Sequence, residues 1–143
     1  MFNRVISAAV NGIESKCVLV EADVSDGLPM FSMVGYLASE VREAQDRVRT
    51  ALRNSGYALP PKHITVNLAP AGHKKAGTVY DLPIFVGLLA AAGELPAPPQ
   101  DAAFIGELSL TGALRSVSGV LPMALAARDA GIRTLFVPAD NAA

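Results

Sequence analysis

The chain has 143 residues, of which 51% are hydrophobic and 17% charged, a composition that excludes a disordered polymer and fits one ordinary domain. Its longest apolar run, residues 84–93, is about half of what a bilayer span needs, so no membrane association is expected. Its single cysteine, Cys17, cannot form an internal disulfide, and no signal peptide follows Met1, which together favour a cytoplasmic location.

The first third of the chain predicts three β-strands. Residues 2–10 and 17–24 are rich in Val and Ile, and they flank Asn11-Gly12, a pair typical of a tight hairpin turn. Residues 26–29 form a second turn signal, and residues 30–35 then alternate in the manner of a third strand.

The hydrophobic period next changes to that of a helix. The apolar positions at helical spacing are Leu37, Val41, Ala44, Val48, Ala51 and Leu52. Ser39 is expected to cap the start of this helix and Gly56 to follow its end. Glu43 and Arg47 lie four residues apart and are expected to pair on the exposed face, so the helix charges need no function to explain them.

Pro60-Pro61 interrupts the chain before a fourth strand at residues 63–68 and a polar loop at 69–78. Asp81 is expected to cap a second helix through its side chain. The apolar residues of that helix cover nearly all of its sides, which predicts a central position in the fold.

The last third predicts a fifth strand at residues 103–110, which turns back at Thr111-Gly112. A third helix begins at Ser118 or Gly119 and stops at Gly131, and a short strand follows at residues 134–137. The resulting order, βββ-α-β-α-β-α-β, predicts an α/β two-layer sandwich that forms a single domain over residues 1–143.

Charge is unevenly distributed although the net charge is only −1. Residues 39–75 contain seven basic and three acidic groups, and no carboxylate lies between Arg47 and Tyr80. The cations of that acid-free stretch are Arg47, Arg49, Arg53, Lys62, Lys74 and Lys75. They either face an anion such as the DNA backbone or are neutralised by the acidic N-terminal strands. The predicted DNA contacts are first Lys74 and Lys75, in a loop, and then Lys62, Arg49 and Arg53.

Sequence signals for a cofactor or metal site are absent. No glycine-rich phosphate loop ending in Gly-Lys-Ser/Thr and no dinucleotide fingerprint occurs, so this domain is not expected to bind ATP. The histidines, His63 and His73, together with Cys17 supply too few ligands for a structural zinc site. Cys17 is expected to be a small buried apolar group within its strand.

Three stretches give the chain a family resemblance. They are VREAQDRVRTALRNSGY (residues 41–57), ITVNLAPAGHKKAGTVYDLPI (64–84) and IGELSLTGALRSVSGVLPMALAARDAGIRTLFVP (105–138). Together they resemble the N-terminal domain of the ComM/YifB family, the magnesium-chelatase-like AAA+ ATPases. One departure is Ala71-Gly72-His73, where family members often have Asp-Leu after the alanine.

The resemblance implies a Lon-protease-like fold of the ribosomal-protein-S-five domain 2 type, with a left-handed β-α-β crossover. It also implies a domain that precedes an AAA+ ATPase module absent from this chain, so that ATP and Mg²⁺ belong to that module. The expected partners are that module, further copies of the parent protein in a hexameric ring, and DNA during branch migration in natural transformation.

The resemblance to Lon also allows an expectation about catalysis. Lon proteases use a Ser nucleophile and an activating Lys, and the matching positions here are Val79 and Leu121. Neither side chain can attack a carbonyl or transfer a proton, so a non-enzymatic domain is expected. The alternatives are a divergent Lon-like peptidase and a partner-protein adaptor domain of a chelatase-like ATPase.

Overall fold

The computed structural model describes residues 1–11 and 14–142 of the chain. Its strands are β1 (Phe2–Asn11), β2 (Glu14–Ser25), β3 (Met30–Val34), β4 (His63–Ala69), β5 (Ala102–Phe104), β6 (Glu107–Leu108), β7 (Leu114–Arg115) and β8 (Thr134–Phe136). Its helices are α1 (Ser39–Arg42), α2 (Ala44–Asn54), α3 (Asp81–Ala91) and α4 (Val120–Asp129), followed by a 3-10 turn at Ala139–Asn141. None of the helices in these described residues is long and apolar enough to cross a membrane.

The main sheet is mixed and has the order β3-β4-β2-β1-β5-β8 within the described residues. The β1-β2 and β2-β4 pairs are antiparallel, whereas β3-β4, β1-β5 and β5-β8 are parallel. The predicted hairpin is confirmed by the β1-β2 register, which pairs Phe2 with Asp23. Gly12 of the predicted Asn11-Gly12 turn lies outside the described residues.

One face of the sheet forms the core, because alternate residues of each strand point to the same side. The buried side chains of that face include Val5, Val18, Val20, Ala22, Val24, Ile64, Val66 and Leu68. Helix α3 packs closely there, since a Cβ built on Gly87 would lie 3.4 Å from Ala22 Cβ and from Val5 Cγ2. The opposite face carries polar contacts, such as the 2.8 Å hydrogen bond from Asn67 Nδ2 to Glu21 Oε1. The predicted mixed α/β class and the central position of α3 are confirmed.

The first predicted helix is divided in two. Helix α1 ends at Arg42 and α2 begins at Ala44, with Glu43 at the junction. Ser39 is the first residue of α1 and not its cap, so that prediction was wrong. The start of α1 is set by a tertiary contact, in which the Ala38 N–H donates to the Lys75 carbonyl at 2.8 Å.

The predicted fifth strand is also divided, because β5 belongs to the main sheet and β6 to a separate pair with β7. The backbone of Gly106 separates them. Its N–H donates to the Val79 carbonyl at 2.9 Å, and its carbonyl accepts the Leu82 N–H at 3.0 Å. These bonds attach the chain to the start of α3 and therefore prevent one continuous strand over residues 103–110.

The prediction that Asp81 caps α3 through its side chain was wrong. Tyr80 occupies the cap position, and the Asp81 carboxylate instead accepts hydrogen bonds from Arg47 Nε at 2.7 Å and Nη2 at 3.0 Å. It also accepts the Leu108 N–H at 3.1 Å, while Arg47 Nη2 donates to the Glu40 carbonyl at 2.7 Å. This network joins α1, α2, α3 and β6, so the Arg47 side chain is largely internal. The predicted pair with Glu43 also forms, with Arg47 Nη1 3.9 Å from Glu43 Oε2.

The ionisation of this pair reflects its burial. Desolvation raises the pKa of Asp81, whose side chain is 1% exposed, although the hydrogen bonds from Arg47 and the Leu108 N–H act to lower it. The hydrogen bond with Asp81 raises the pKa of Arg47. The guanidinium is therefore charged at any physiological pH, and Asp81 is the partner that satisfies it.

The loop between β4 and α3 places its two lysines differently. Lys75 is 1% exposed, and its Nζ donates to the Pro70 carbonyl. Its backbone N–H donates to the Tyr36 carbonyl at 2.8 Å, which holds the loop against the chain before α1. Lys74 is exposed, with Nζ 5.7 Å from the Tyr36 ring centroid. The expectation that both side chains reach phosphates was therefore wrong for Lys75.

A small cavity of about 20 Å³ adjoins Lys75 and is also lined by Cys17 and Tyr80. The Tyr80 hydroxyl is buried and has no hydrogen-bond partner among the described residues. Burial lowers the pKa of Lys75 and raises that of the Cys17 thiol. Cys17 lies in β2 as predicted but is only partly buried.

The Asp81→Ala variant is expected to lose about 3 kcal/mol of unfolding free energy, because it leaves Arg47 and the Leu108 N–H without their acceptor. Denaturant unfolding measures this loss. The control is Glu43→Ala, which removes a largely exposed carboxylate 3.9 Å from the same guanidinium. That control is expected to cost less than about 1 kcal/mol. Equal losses in the two variants would contradict the role assigned to Asp81.

The Lys75→Met variant is expected to be more stable than the unmutated chain at pH 7, because the Lys75 ammonium is buried and pairs with no carboxylate of the described residues, which is costly. Burial depresses the folded-state pKa of Lys75 below its ordinary value of 10.5, so the folded state releases the proton first. The unmutated chain should therefore gain stability relative to the variant as pH rises towards 10.5. Unfolding curves across that range test this. Lys74→Met is the matched control, and an identical pH trend in both variants would disprove the prediction.

Candidate nucleic-acid interface

A groove of about 400 Å³ lies where the C-terminal half of α2 approaches the starts of β3 and β4. Arg49, Arg53 and Lys62 provide positive charge along it. Its apolar part includes Phe31 and Tyr57. The groove thus combines three cations with aromatic surface, the composition that single-stranded nucleic-acid sites use.

Helical spacing brings the two arginines together, because residues four apart on a helix share a face. The Arg49 guanidinium lies over the Phe31 ring, with its central carbon 5.3 Å from the ring centroid. Phe31 is aligned with Ile64 in the parallel β3-β4 pair, on the core face of the sheet. Arg49 therefore rests on a ring that the sheet holds in place.

The end of α2 brings Tyr57 to the groove. Gly56 adopts a φ of +90°, a left-handed conformation that favours glycine and reverses the chain. The Tyr57 N–H then donates to the Leu52 carbonyl at 2.9 Å. Tyr57 remains 38% exposed at the edge of the groove.

The groove cations are largely available to a ligand. Within residues 1–11 and 14–142, neither Arg49 nor Arg53 makes an ion pair. Lys62 Nζ lies 3.5 Å from Asp26 Oδ1, but both side chains are exposed, so solvent screens this pair. The alternative to an anion-facing surface was neutralisation by the acidic N-terminal part of the chain. Asp26 can neutralise Lys62 in this way, but no carboxylate of the described residues pairs with Arg49 or Arg53.

The predicted contacts are divided by the fold. Arg49, Arg53 and Lys62 meet at one groove, whereas Lys74 lies over Tyr36 and Lys75 is buried. Sequence reasoning missed Tyr57 and Phe31. The signal for Tyr57 was its place immediately after Gly56, where a C-terminal turn directs the next residue back towards the helix.

A second groove, of about 350 Å³, lies beside the start of α3. Val79, one of the positions matched to the Lon catalytic pair, lines it and is buried. Leu121, the other position, is 71% exposed on α4 and is not among the lining residues. The hydroxyls in this groove come from Thr78 and Ser118, and no lysine or histidine among the described residues lines it.

Comparison with known proteins gives a family match over most of the chain. The family model described as subunit ChlI of Mg-chelatase matches residues 20–141. The protein YifB of Salmonella typhimurium, described as uncharacterized, is 48% identical over 136 residues, 94% of this chain. The competence protein ComM of Haemophilus influenzae is 46% identical over 139 residues, 96% of this chain.

A weaker similarity extends to Lon proteases. The mitochondrial Lon protease homolog of Drosophila melanogaster is 30% identical over 116 residues, which are 76% of this chain and 11% of that protein. The chain spans only 27% of the length of the YifB and ComM relatives. From the model match and the identity to YifB and ComM, the chain belongs to the ChlI family of Mg-chelatase-like proteins and aligns with one part of its ComM/YifB members.

Proposed function

We propose that this chain is a non-catalytic accessory domain of a ComM/YifB-type AAA+ ATPase that binds DNA and contributes to ring assembly. The observation that carries the DNA-binding role is the convergence of Arg49, Arg53 and Lys62 on one groove. The similarity to a competence protein supports the same role, because competence concerns the handling of DNA. The parent protein acts in the cytoplasm during branch migration in natural transformation.

The proposed fold is the Lon-like, ribosomal-protein-S-five domain 2 type with a left-handed β-α-β crossover. The similarity to a Lon protease homolog supports this assignment. In the longer parent protein, ATP and Mg²⁺ bind to the ATPase module and not to this domain. A hexameric ring brings several copies of the groove to one DNA molecule.

Binding by a single domain is weak in this proposal. Phosphate contacts alone give dissociation constants of about 10⁻⁴ to 10⁻⁶ M at physiological salt. A ring raises the apparent affinity, because a second groove binds the same molecule at a high effective concentration. Lys74 is a peripheral contact, since it is exposed outside the groove. Lys75 has no contact with DNA in this scheme.

The triple variant Arg49→Ala, Arg53→Ala, Lys62→Ala is expected to weaken DNA binding similarly across sequences. Each lost phosphate contact should reduce the slope of log affinity against log salt by about 0.9 on duplex DNA and about 0.7 on single strands. Fluorescence anisotropy at several salt concentrations measures both quantities. Arg128→Ala is the control, because Arg128 is an exposed arginine on α4, away from the groove. Unchanged affinity and slope in the triple variant would reject DNA binding at this groove.

The pure domain is expected to show no peptidase activity, because Val79 and Leu121 offer neither a nucleophile nor a base. Incubation with an unfolded protein substrate, followed by gel analysis, checks this. Thr78→Ala and Ser118→Ala should leave that result unchanged. If the unmutated domain hydrolyses the substrate and Thr78→Ala abolishes that hydrolysis, the chain is the divergent peptidase instead.

A further inference from the structure

The groove has more apolar surface than phosphate recognition requires. Cations on any exposed face can neutralise phosphates, yet here Arg49 lies over Phe31 and Tyr57 leaves part of its ring uncovered. Leu59 and Pro60 extend the apolar lining between α2 and β4. A ligand that fills this groove must therefore combine negative charge with a flat or apolar group.

We propose that the groove binds single-stranded nucleic acid, with one unstacked base against Tyr57 and the Arg49–Phe31 layer. This inference rests on the proposed DNA-binding function and specifies its substrate class. Arg53 and Lys62 contact the phosphates on either side of the bound base. The ring of Tyr57 and the guanidinium of Arg49 each offer a planar surface to the base.

Duplex DNA does not meet these requirements. Its bases are stacked on one another, so a protein must first extract a base before a pocket can hold it, and that extraction has an energetic cost. A single strand presents bases that are already free to leave the stack. The groove should therefore favour a single strand over a duplex at equal salt.

The chemistry of the lining also determines how selective the site is. Every base has a π face, so stacking tolerates all sequences. The aliphatic residues Leu59, Pro60 and Ile64 offer no side-chain hydrogen bonds to base edges. The site should therefore bind strands with little sequence preference.

The test compares three labelled probes of equal length by fluorescence anisotropy: an oligothymidine strand, an abasic strand with the same phosphates, and a duplex. The thymidine strand is expected to bind about 10-fold more tightly than the abasic strand, the contribution of one stacked base. Tyr57→Leu should remove that difference while leaving abasic binding unchanged. Tyr36→Leu is the matched control, because Tyr36 is an exposed tyrosine that does not line the groove. Circular dichroism and denaturant unfolding confirm that both variants fold.

The outcomes separate the two proposals. If thymidine and abasic strands bind equally and the Arg49→Ala, Arg53→Ala, Lys62→Ala variant weakens both, DNA binding stands and the proposed base-stacking site is overturned. If the duplex binds more tightly than the thymidine strand, the proposed base-stacking site is also overturned. If no probe depends on Arg49, Arg53 or Lys62, both proposals fail. A last outcome is that the thymidine strand does not bind, whereas an acidic peptide with one phenylalanine binds and loses that binding in Arg53→Ala. This result would make the groove a peptide site and overturn this inference.

Discussion

Arg47 and Asp81 connect parts of the chain that are 34 residues apart and place them in one fixed arrangement. The carboxylate accepts hydrogen bonds from Arg47 Nε and Nη2 and from the Leu108 N–H, and Arg47 Nη2 also donates to the Glu40 carbonyl. A buried carboxylate without such partners would cost several kcal/mol, so the helices and β6 must approach one another with these groups aligned. The start of α3, and hence the position of Val79, depends on the same contact.

The orientation of α2 follows from this pair and determines the proposed DNA surface. An α-helix turns about 100° per residue, so Arg49 lies roughly 200° around the axis from Arg47. When Arg47 points inward to Asp81, Arg49 must point away from it, towards Phe31 and the groove. Arg53 follows Arg49 by four residues and shares its face. The internal ion pair and the cationic groove are therefore two consequences of one helix orientation.

Most elements could be predicted from hydrophobic period and turn residues, because those patterns report which face of a segment is buried. Alternation in residues 63–68 correctly indicated β4, and the all-round apolar helix correctly indicated the central α3. The same local patterns also predicted a cap at Asp81 and a continuous strand over residues 103–110, and both predictions were wrong. An acidic residue before an apolar helix is equally compatible with a cap and with a buried ion pair, and the partner that decides between them is remote in sequence.

The sequence by itself determined the α/β class, the cationic character of residues 47–75 and the family resemblance, since these depend on local periodicity, composition and motifs. Only the tertiary structure decided which cations face solvent. Lys74 and Lys75 are adjacent and chemically alike, yet one is exposed and the other is buried because the backbone of Lys75 is bonded to Tyr36 and Ala38. Tyr57 and Phe31 likewise became part of one groove only through the packing of α2 on the sheet. Contacts between distant segments set side-chain direction and burial, and no local pattern contains that information.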